Sequence, residues 1–83
     1  MKYEEARDII MKDNRKSMWR EEWQEDHEVF IMYWDDAEIE LNSHTYRVSP
    51  CYVEFDGDIA YYCWTPSLLD AIADDWIVTE EYD

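Results

Sequence analysis

The stretch WTPSLLDAIADDW, residues 64–76, places the end of a strand, a turn, a short helix and a second Trp within thirteen positions. Thr65 is a good N-cap because its hydroxyl can accept a free amide of the first helical turn. Pro66 suits the first helical position that follows. The spacing of the apolar residues predicts a helix of about two turns, held to a sheet by its apolar side. That side comprises Leu68, Leu69, Ile72 and Ala73.

The chain before this stretch alternates between helical and strand-like patterns. Residues 3–12 have the apolar periodicity of a helix that covers one side of a sheet. The unbroken apolar run at 29–34 is typical of a strand covered on both sides, which in so short a chain indicates a helix on one side and a partner subunit on the other. Further strands are expected at 16–23, 38–41, 45–48, 51–64 (a hairpin) and 77–79. Trp23 and the acidic turn at 24–26 fit a loop as well as they fit the first strand.

These elements predict the fold class α+β, with an N-terminal helix, an antiparallel meander-like β-sheet, a short C-terminal helix and a final short strand. The hairpin at 51–64 is expected to turn at Asp56-Gly57-Asp58. If odd-numbered residues on both its strands share a side, Cys51 and Cys63 are neighbours. Two interpretations of them stay open, namely reduced thiols, as in most cytosolic proteins, or a disulfide.

Composition indicates one domain, residues 1–83, that is aromatic, acidic and without an apolar run long enough to span a membrane. The N-terminus lacks the apolar stretch of a signal peptide, so we expect a cytosolic protein. The net charge is −15, yet six of the seven basic residues lie in the first twenty positions. The acidic excess fits either a solvated surface or a DNA mimic that occupies a nucleic-acid-binding cleft.

Residue patterns for catalysis or metal binding are absent from the sequence. His27 and His44 lack a helical partner, and the two Cys are twelve positions apart with no closely spaced third. A single Gly excludes a glycine-rich phosphate loop. We therefore expect no catalytic residue, no metal site and no cofactor.

Aromatic residues are better candidates for a functional site than the catalytic or metal-binding residue types. Among the five Trp, Trp19, Trp23 and Trp64 each lie near the end of an element and beside polar residues, and each fits a core position as well as it fits a binding site. With Arg20 and the start of the last helix, they would suit a nucleotide, whose base stacks on an indole while its phosphates bind backbone amides and the guanidinium.

The last third of the chain also carries a longer motif, Trp-x-x-Ser-x-x-Asp-x-x-Ala-x-Asp-Trp-x-Val. It resembles the closing motif of a small phage domain, formerly of unknown function, whose best understood members are phage Thoeris anti-defence proteins of the second type. One relative in that family is described as an anti-CRISPR protein. The N-terminal match is looser: Tyr3-Glu4-Glu5-Ala6 resembles a Phe-x-x-Ala helix, whereas Glu22 and Glu25 replace glycines. The motif is met here by Trp64, Ser67, Asp70, Ala73, Asp75, Trp76 and Val78.

The resemblance implies a non-enzymatic sponge for an immune signal. Such proteins bind the cyclic ADP-ribose isomer of the Thoeris system, and some bind cyclic dinucleotides, in pockets between the subunits of a dimer of dimers. The expected partners are thus a cyclic nucleotide signalling molecule and further copies of the chain, with no direct nucleic acid and no membrane, in the cytoplasm of the infected bacterial host. The alternative function is an acidic DNA mimic that inhibits a CRISPR or other host nuclease.

Residue roles at the site follow from the resemblance and from residue type. Trp23 and Trp64 would stack on the ligand or wall it in, and Arg20 would neutralise phosphate. Ser67 and Asp70 would exchange hydrogen bonds with phosphate or ribose.

Overall fold

A computed structural model describes residues 1–23 and 29–80 of the chain. The acidic turn predicted at 24–26, His27 and the end of the acidic tail at 81–83 lie outside the described residues. The fold is α+β, as predicted, with one helix before the strands, a shorter helix near the C-terminus and a final strand.

The first helix, α1, spans Tyr3–Lys12, the bounds that its periodicity predicts. Its first turn is closed by Glu5, whose Oε1 accepts the amide of Lys2 at 3.1 Å. It ends where the amide of Asp13 donates to the carbonyl of Ile9 and the Asp13 carboxylate turns back to accept the amide of Arg15. Asp favours such local bonds over a helix interior, which is why the helix stops here.

A five-stranded antiparallel sheet lies under α1. Its strand order is β6-β5-β2-β1-β7, so the final strand returns to the free edge of the first. The bounds of these strands are β1 Lys16–Arg20, β2 Val29–Trp34, β5 Cys51–Asp56, β6 Ile59–Tyr61 and β7 Trp76–Glu80. The first strand is shorter than predicted, because residues Glu21–Trp23 form a 3₁₀ turn.

The remaining two strands, β3 (Ala37–Leu41) and β4 (His44–Val48), form a separate hairpin between β2 and β5. Asn42 and Ser43 make its turn, and both have positive φ, 55° and 70°. Two positive φ angles give the type I′ geometry, whose twist matches that of the paired strands.

The β5–β6 hairpin corrects the predicted register. Phe55 lies opposite Ala60, so odd-numbered residues of β5 share a side with even-numbered residues of β6. The two-residue loop Gly57-Asp58 causes this, because it joins Asp56 directly to its partner Ile59; Gly57 supplies a φ of 63° at the first loop position. The prediction that odd-numbered residues match across this hairpin is therefore wrong.

Cys51 and Cys63 are nevertheless neighbours, through a bend rather than through the ladder. Cys63 has a φ of 60°, and the amide of Trp64 donates to the carbonyl of Tyr52 at 2.8 Å. Both thiols are free. Burial raises the pKa of the Cys51 thiol, which also contacts the backbone and thiol of Cys63.

The core lies between α1 and the sheet. Cross-strand partners project to the same side of a sheet, so the pairs Met18–Ile31 and Arg20–Trp76 define the side that α1 covers. The other side carries stacked aromatics, with the rings of Phe30 and Phe55 5.2 Å apart. That a partner subunit covers this second side remains a prediction. The buried core cluster comprises Tyr3, Ala6, Ile10, Met18, Ile31 and Trp76.

Candidate ligand-binding site

The second helix, α2, spans Leu68–Ile72 and is shorter than the two turns expected. Its N-cap is Ser67, whose Oγ accepts the amide of Asp70 at 3.2 Å. The predicted N-cap, Thr65, lies two residues too early, and Pro66 precedes the helix instead of opening it. The segment from Trp64 to Pro66 therefore lies outside the helix.

The orientation of α2 is the reverse of the predicted one, although Ala73, its C-cap residue, packs half-buried against the core as expected. Leu68, Leu69 and Ile72 were expected to hold it to the sheet, yet they are 76%, 70% and 69% exposed. Asp70 faces inward instead, because its carbonyl accepts the indole N–H of Trp76 at 2.9 Å and its carboxylate binds Arg20 at 3.0 Å. At 100° per residue, positions 68 and 72 lie opposite position 70, so anchoring Asp70 turns the apolar side toward solvent.

Arg20 is the electrostatic centre of this corner. It is the last residue of β1 and only 8% exposed. Its Nε donates to Asp75 Oδ1 at 2.9 Å, its Nη1 to Asp70 Oδ1 at 3.0 Å and its Nη2 to Glu22 Oε1 at 3.3 Å. The contact with Asp75 is foremost in raising the pKa of the guanidinium, and Arg20 in turn lowers the pKa of the Asp75 carboxyl. Three carboxylates thus share one cation.

Four aromatic rings converge beside this ion cluster. Trp76 is buried at their centre, with ring centroids 5.3 Å from Trp23, 6.3 Å from Trp64 and 5.7 Å from Tyr3. Trp23 is presented by the 3₁₀ turn and Trp64 by the bend after β6, and both are half-buried. Tilted and edge-on contacts at these distances are the favourable arrangements for aromatic rings. We call the half-buried faces of Trp23 and Trp64, with Asp70 and Ser67, the aromatic corner.

The aromatic corner contains most of the residues that the sequence singles out. Trp23, Trp64 and Asp70 each contact Trp76, and Arg20 is bound to Asp70. Ser67 lies next to Asp70, but its Oγ is engaged in capping α2. Asp75 was missed as a partner of Arg20. Finding it requires the register that puts Arg20 opposite Trp76, and that register depends on a pairing between distant parts of the chain.

Acidic groups dominate the surroundings of the corner. Glu54 is half-buried, and burial, followed by the charges of Asp56 and Asp70, raises the pKa of its carboxyl. Glu21, Glu22 and Asp74 are exposed nearby along the chain. Among the residues that the structure describes, the corner therefore has no excess positive charge that could bind a phosphate.

Two further observations concern metals and membranes. Within residues 1–23 and 29–80, no three His, Cys, Asp or Glu side chains come together as a metal site. Neither helix in the described part of the chain has the length and apolar composition that crossing a bilayer requires.

Comparison with known protein families gives a match over nearly the whole chain. The model of the Tad2-like family, described as the Thoeris anti-defense 2-like domain, matches residues 1–79. The match includes every element from α1 to β7 apart from the last residue of that strand. No curated protein matches the chain.

Proposed function

The chain belongs to the Thoeris anti-defense 2-like family, and from this premise we propose that it is a sponge for a cyclic nucleotide immune signal. Family membership supports a phage anti-Thoeris role. The proposal goes further: the chain binds the cyclic ADP-ribose isomer of the Thoeris system, or a cyclic dinucleotide, and keeps it from its effector without cleaving it. It would act in the cytoplasm of the infected bacterial host.

The observation that carries this proposal is the aromatic corner. Trp23 and Trp64 are half-buried, held against the buried Trp76, and each presents part of its ring to solvent. Indoles fixed in this way suit base stacking, which contributes about 1–3 kcal/mol per base. Asp70 lies alongside them and can accept hydrogen bonds from ribose hydroxyls.

The polar residues take different parts in the proposed complex. Arg20 remains the candidate for phosphate neutralisation. Its guanidinium already binds Asp70, Asp75 and Glu22, so a ligand phosphate would compete with these three carboxylates. A ligand phosphate would have to displace at least one of these carboxylates. Ser67 would bind the ligand through its backbone, or through its hydroxyl once that group no longer caps α2. The aromatic residues therefore carry more of the proposal than the charged ones.

Sequestration requires affinity and stoichiometry rather than chemistry, so we propose that the protein is not an enzyme. A nanomolar dissociation constant corresponds to about −12 kcal/mol. Such affinity for a small dianion requires an enclosed pocket, whereas Trp23 and Trp64 of one chain are only half-buried. We therefore propose a homo-oligomer, a dimer of dimers, whose subunits close the site together.

The test is a calorimetric titration with cyclic ADP-ribose isomers and with cyclic dinucleotides. The informative variants are Trp23→Leu and Trp64→Leu, which keep apolar volume while removing the indole. Trp19→Leu is the matched control, because Trp19 is also half-buried but lies on the other side of the sheet, bonded to Thr79 at 2.9 Å. We expect tight binding by wild type and by the control, and at least tenfold weaker binding by the other two.

Failure of the folded wild-type protein to bind any of these ligands would reject the proposal. Equal losses in all three variants would place the ligand away from the aromatic corner.

A DNA mimic is the competing candidate, and the net charge of −15 is the observation that favours it. Against it, the acids around Arg20 are engaged in ion pairs beside aromatic rings rather than spaced along an open surface. A mimic would bind a basic nuclease with strong salt dependence and would ignore small nucleotides. The same titration, repeated with a CRISPR nuclease, separates the two functions.

A further inference from the structure

Cys63 adopts a backbone conformation that is uncommon for a residue with a side chain. Its φ is 60°, in the left-handed region that glycine enters without steric cost. The conformation is held from the next residue, because the amide of Trp64 donates to the carbonyl of Tyr52 at 2.8 Å. Strained positions persist only where the surrounding structure fixes them, and they are concentrated at functional sites. The conformation of Cys63 therefore points to a use for this bend.

The bend at Cys63 carries the chain from one side of the sheet to the other. Tyr62 lies among the aromatic residues of the side away from α1, with its ring centroid 6.0 Å from that of Trp34. Trp64 lies on the side that α1 covers, with its ring centroid 6.3 Å from that of Tyr3. Residues two apart in a regular strand share a side, so the left-handed φ of Cys63 separates these two rings. Trp64 therefore reaches the aromatic corner through this bend.

Two thiols meet at the bend. Cys63 is exposed, whereas Cys51, the first residue of β5, is half-buried. The thiol of Cys51 contacts both the backbone and the thiol of Cys63. Contact between thiols on neighbouring segments allows a disulfide to close without a large movement of the backbone. These are the two Cys of the sequence, so a bridge within this chain pairs them with each other.

We propose that Cys51 and Cys63 form a reversible redox site, which a small-molecule disulfide such as glutathione disulfide closes to an intramolecular bridge. Cys63 reacts first because it is exposed, whereas burial raises the pKa of the Cys51 thiol and so disfavours its thiolate.

The reaction is an exchange in two steps. The thiol of Cys63 loses its proton to solvent, and the thiolate attacks one sulfur of the small disulfide, breaks the S–S bond and expels one small thiolate. Cys51 then loses its proton to solvent, attacks the sulfur of Cys63 in the mixed disulfide and expels the second small thiolate. The two expelled thiolates take up the two protons. Two protein thiols are thereby oxidised, and one small disulfide is reduced to two thiols.

Closing the bridge restrains the bend that presents Trp64. Cys51 pairs with Trp34 in the ladder between β5 and β2, so it is a fixed anchor within the sheet. Cys63 directly precedes Trp64, whose backbone bond to Tyr52 lies next to the bridge. The reduced form holds this bend by non-covalent contacts, and the oxidised form adds a covalent restraint. The redox state of the pair therefore sets how firmly Trp64 is held at the aromatic corner.

The test is oxidation of the full folded chain in buffers with a rising ratio of oxidised to reduced glutathione. Samples are alkylated, and the mass of the intact protein is measured. We expect wild type to change into a form that has lost two hydrogens and accepts no alkylating group. Cys51→Ser should accumulate a mixed disulfide with glutathione on Cys63. Cys63→Ser should react with glutathione disulfide at least tenfold more slowly, because the remaining thiol of Cys51 is half-buried.

Cys63→Gly is the matched control, since glycine keeps the left-handed φ and removes the thiol. Oxidised glutathione should raise the melting temperature of wild type by about 5 °C or more, because the bridge restricts the unfolded chain, and should leave that of Cys63→Gly unchanged. In hydrogen exchange followed by NMR, oxidation of wild type should slow the exchange of the Trp64 amide at least tenfold.

A stable mixed disulfide on Cys63 of folded wild type, or a bridge that forms only when urea is added, would overturn the proposal. The same holds if the oxidised and reduced proteins have equal melting temperatures and equal exchange at the Trp64 amide. None of these measurements involves a nucleotide, so their outcome is independent of the proposed function.

Discussion

Arg20 joins three parts of the chain at one point. Through its guanidinium, the end of β1 is linked to α2 by Asp70, to the residue before β7 by Asp75 and to the 3₁₀ turn by Glu22. A buried cation with several carboxylate partners is costly to remove, because its partners are then left uncompensated. Arg20 is therefore a structural residue whatever it does for a ligand.

Replacing Arg20 tests this role. We expect Arg20→Ala to lower the free energy of unfolding by about 2–4 kcal/mol, less than for a fully buried pair because Asp70 and Asp75 keep some exposure. Arg20→Lys keeps the charge but cannot donate to three carboxylates in the same planar geometry, so its loss should be intermediate. Urea unfolding measures both. A loss below 1 kcal/mol for Arg20→Ala would contradict the structural role.

Glu54 provides a pH-dependent prediction. Because burial and the charges of Asp56 and Asp70 raise the pKa of its carboxyl in the folded state, ionisation destabilises the fold. The cost is absent below the ordinary glutamate pKa, grows as pH rises from that value to the raised folded pKa, and is complete above the folded pKa. Glu54→Gln should therefore raise the melting temperature at pH 7 and make no difference near pH 3.5. A lower melting temperature at pH 7 would contradict the assignment.

At the scale of the element, α2 depends on its surroundings. A helix of five residues is far below the length at which helices are stable in isolation. Its position is held by the cap at Ser67, the ion pair of Asp70 and the indole bond of Trp76. The aromatic corner depends on the same three contacts, since Asp70 belongs both to the helix and to the candidate site.

Loss of the cap is therefore expected to be measurable. Ser67→Ala should cost about 1 kcal/mol of stability, because the amide of Asp70 loses its acceptor. Thr65→Ala is the matched control: Thr65 is the cap that the local sequence favours, but it lies outside the helix and should be neutral. Chemical unfolding compares the two, and a larger loss for Thr65→Ala would contradict the observed helix start.

Local pattern predicted most element bounds but neither the β5–β6 register nor the orientation of α2. Periodicity identifies α1 and β2 because burial on a fixed side repeats along the sequence. The register was missed because alternation alone does not decide how many residues the turn at Gly57 takes. The orientation was missed because an amphipathic pattern shows that one side is apolar, and not whether its own chain or another molecule covers it.

Only the part of the candidate site that local sequence patterns identify could be predicted. Trp23, Trp64 and Asp70 were singled out by residue type, position and motif, and the structure brings them together around Trp76. Asp75 and Tyr3 join them only through the folded sheet and α1. Contacts of long sequence separation leave no local pattern, so a single sequence gives no sign of them.

At the scale of the whole molecule, charge is separated along the sheet. The aromatic corner at one end is acidic, and Lys12 and Lys16 lie at the other. A single subunit thus presents stacking surfaces beside a guanidinium, that of Arg20, which three carboxylates already share. Family membership through residues 1–79 supports an anti-Thoeris role for the chain.

Recovery of ligand from the denatured complex tests the central claim most directly. The protein is incubated with the cyclic ADP-ribose isomer, unbound ligand is removed by gel filtration, the complex is denatured by heat and the released small molecule is identified by mass spectrometry. We predict that the intact isomer is recovered in fixed stoichiometry to the protein. Recovery of a cleaved product, or of no ligand from folded protein, would contradict sequestration.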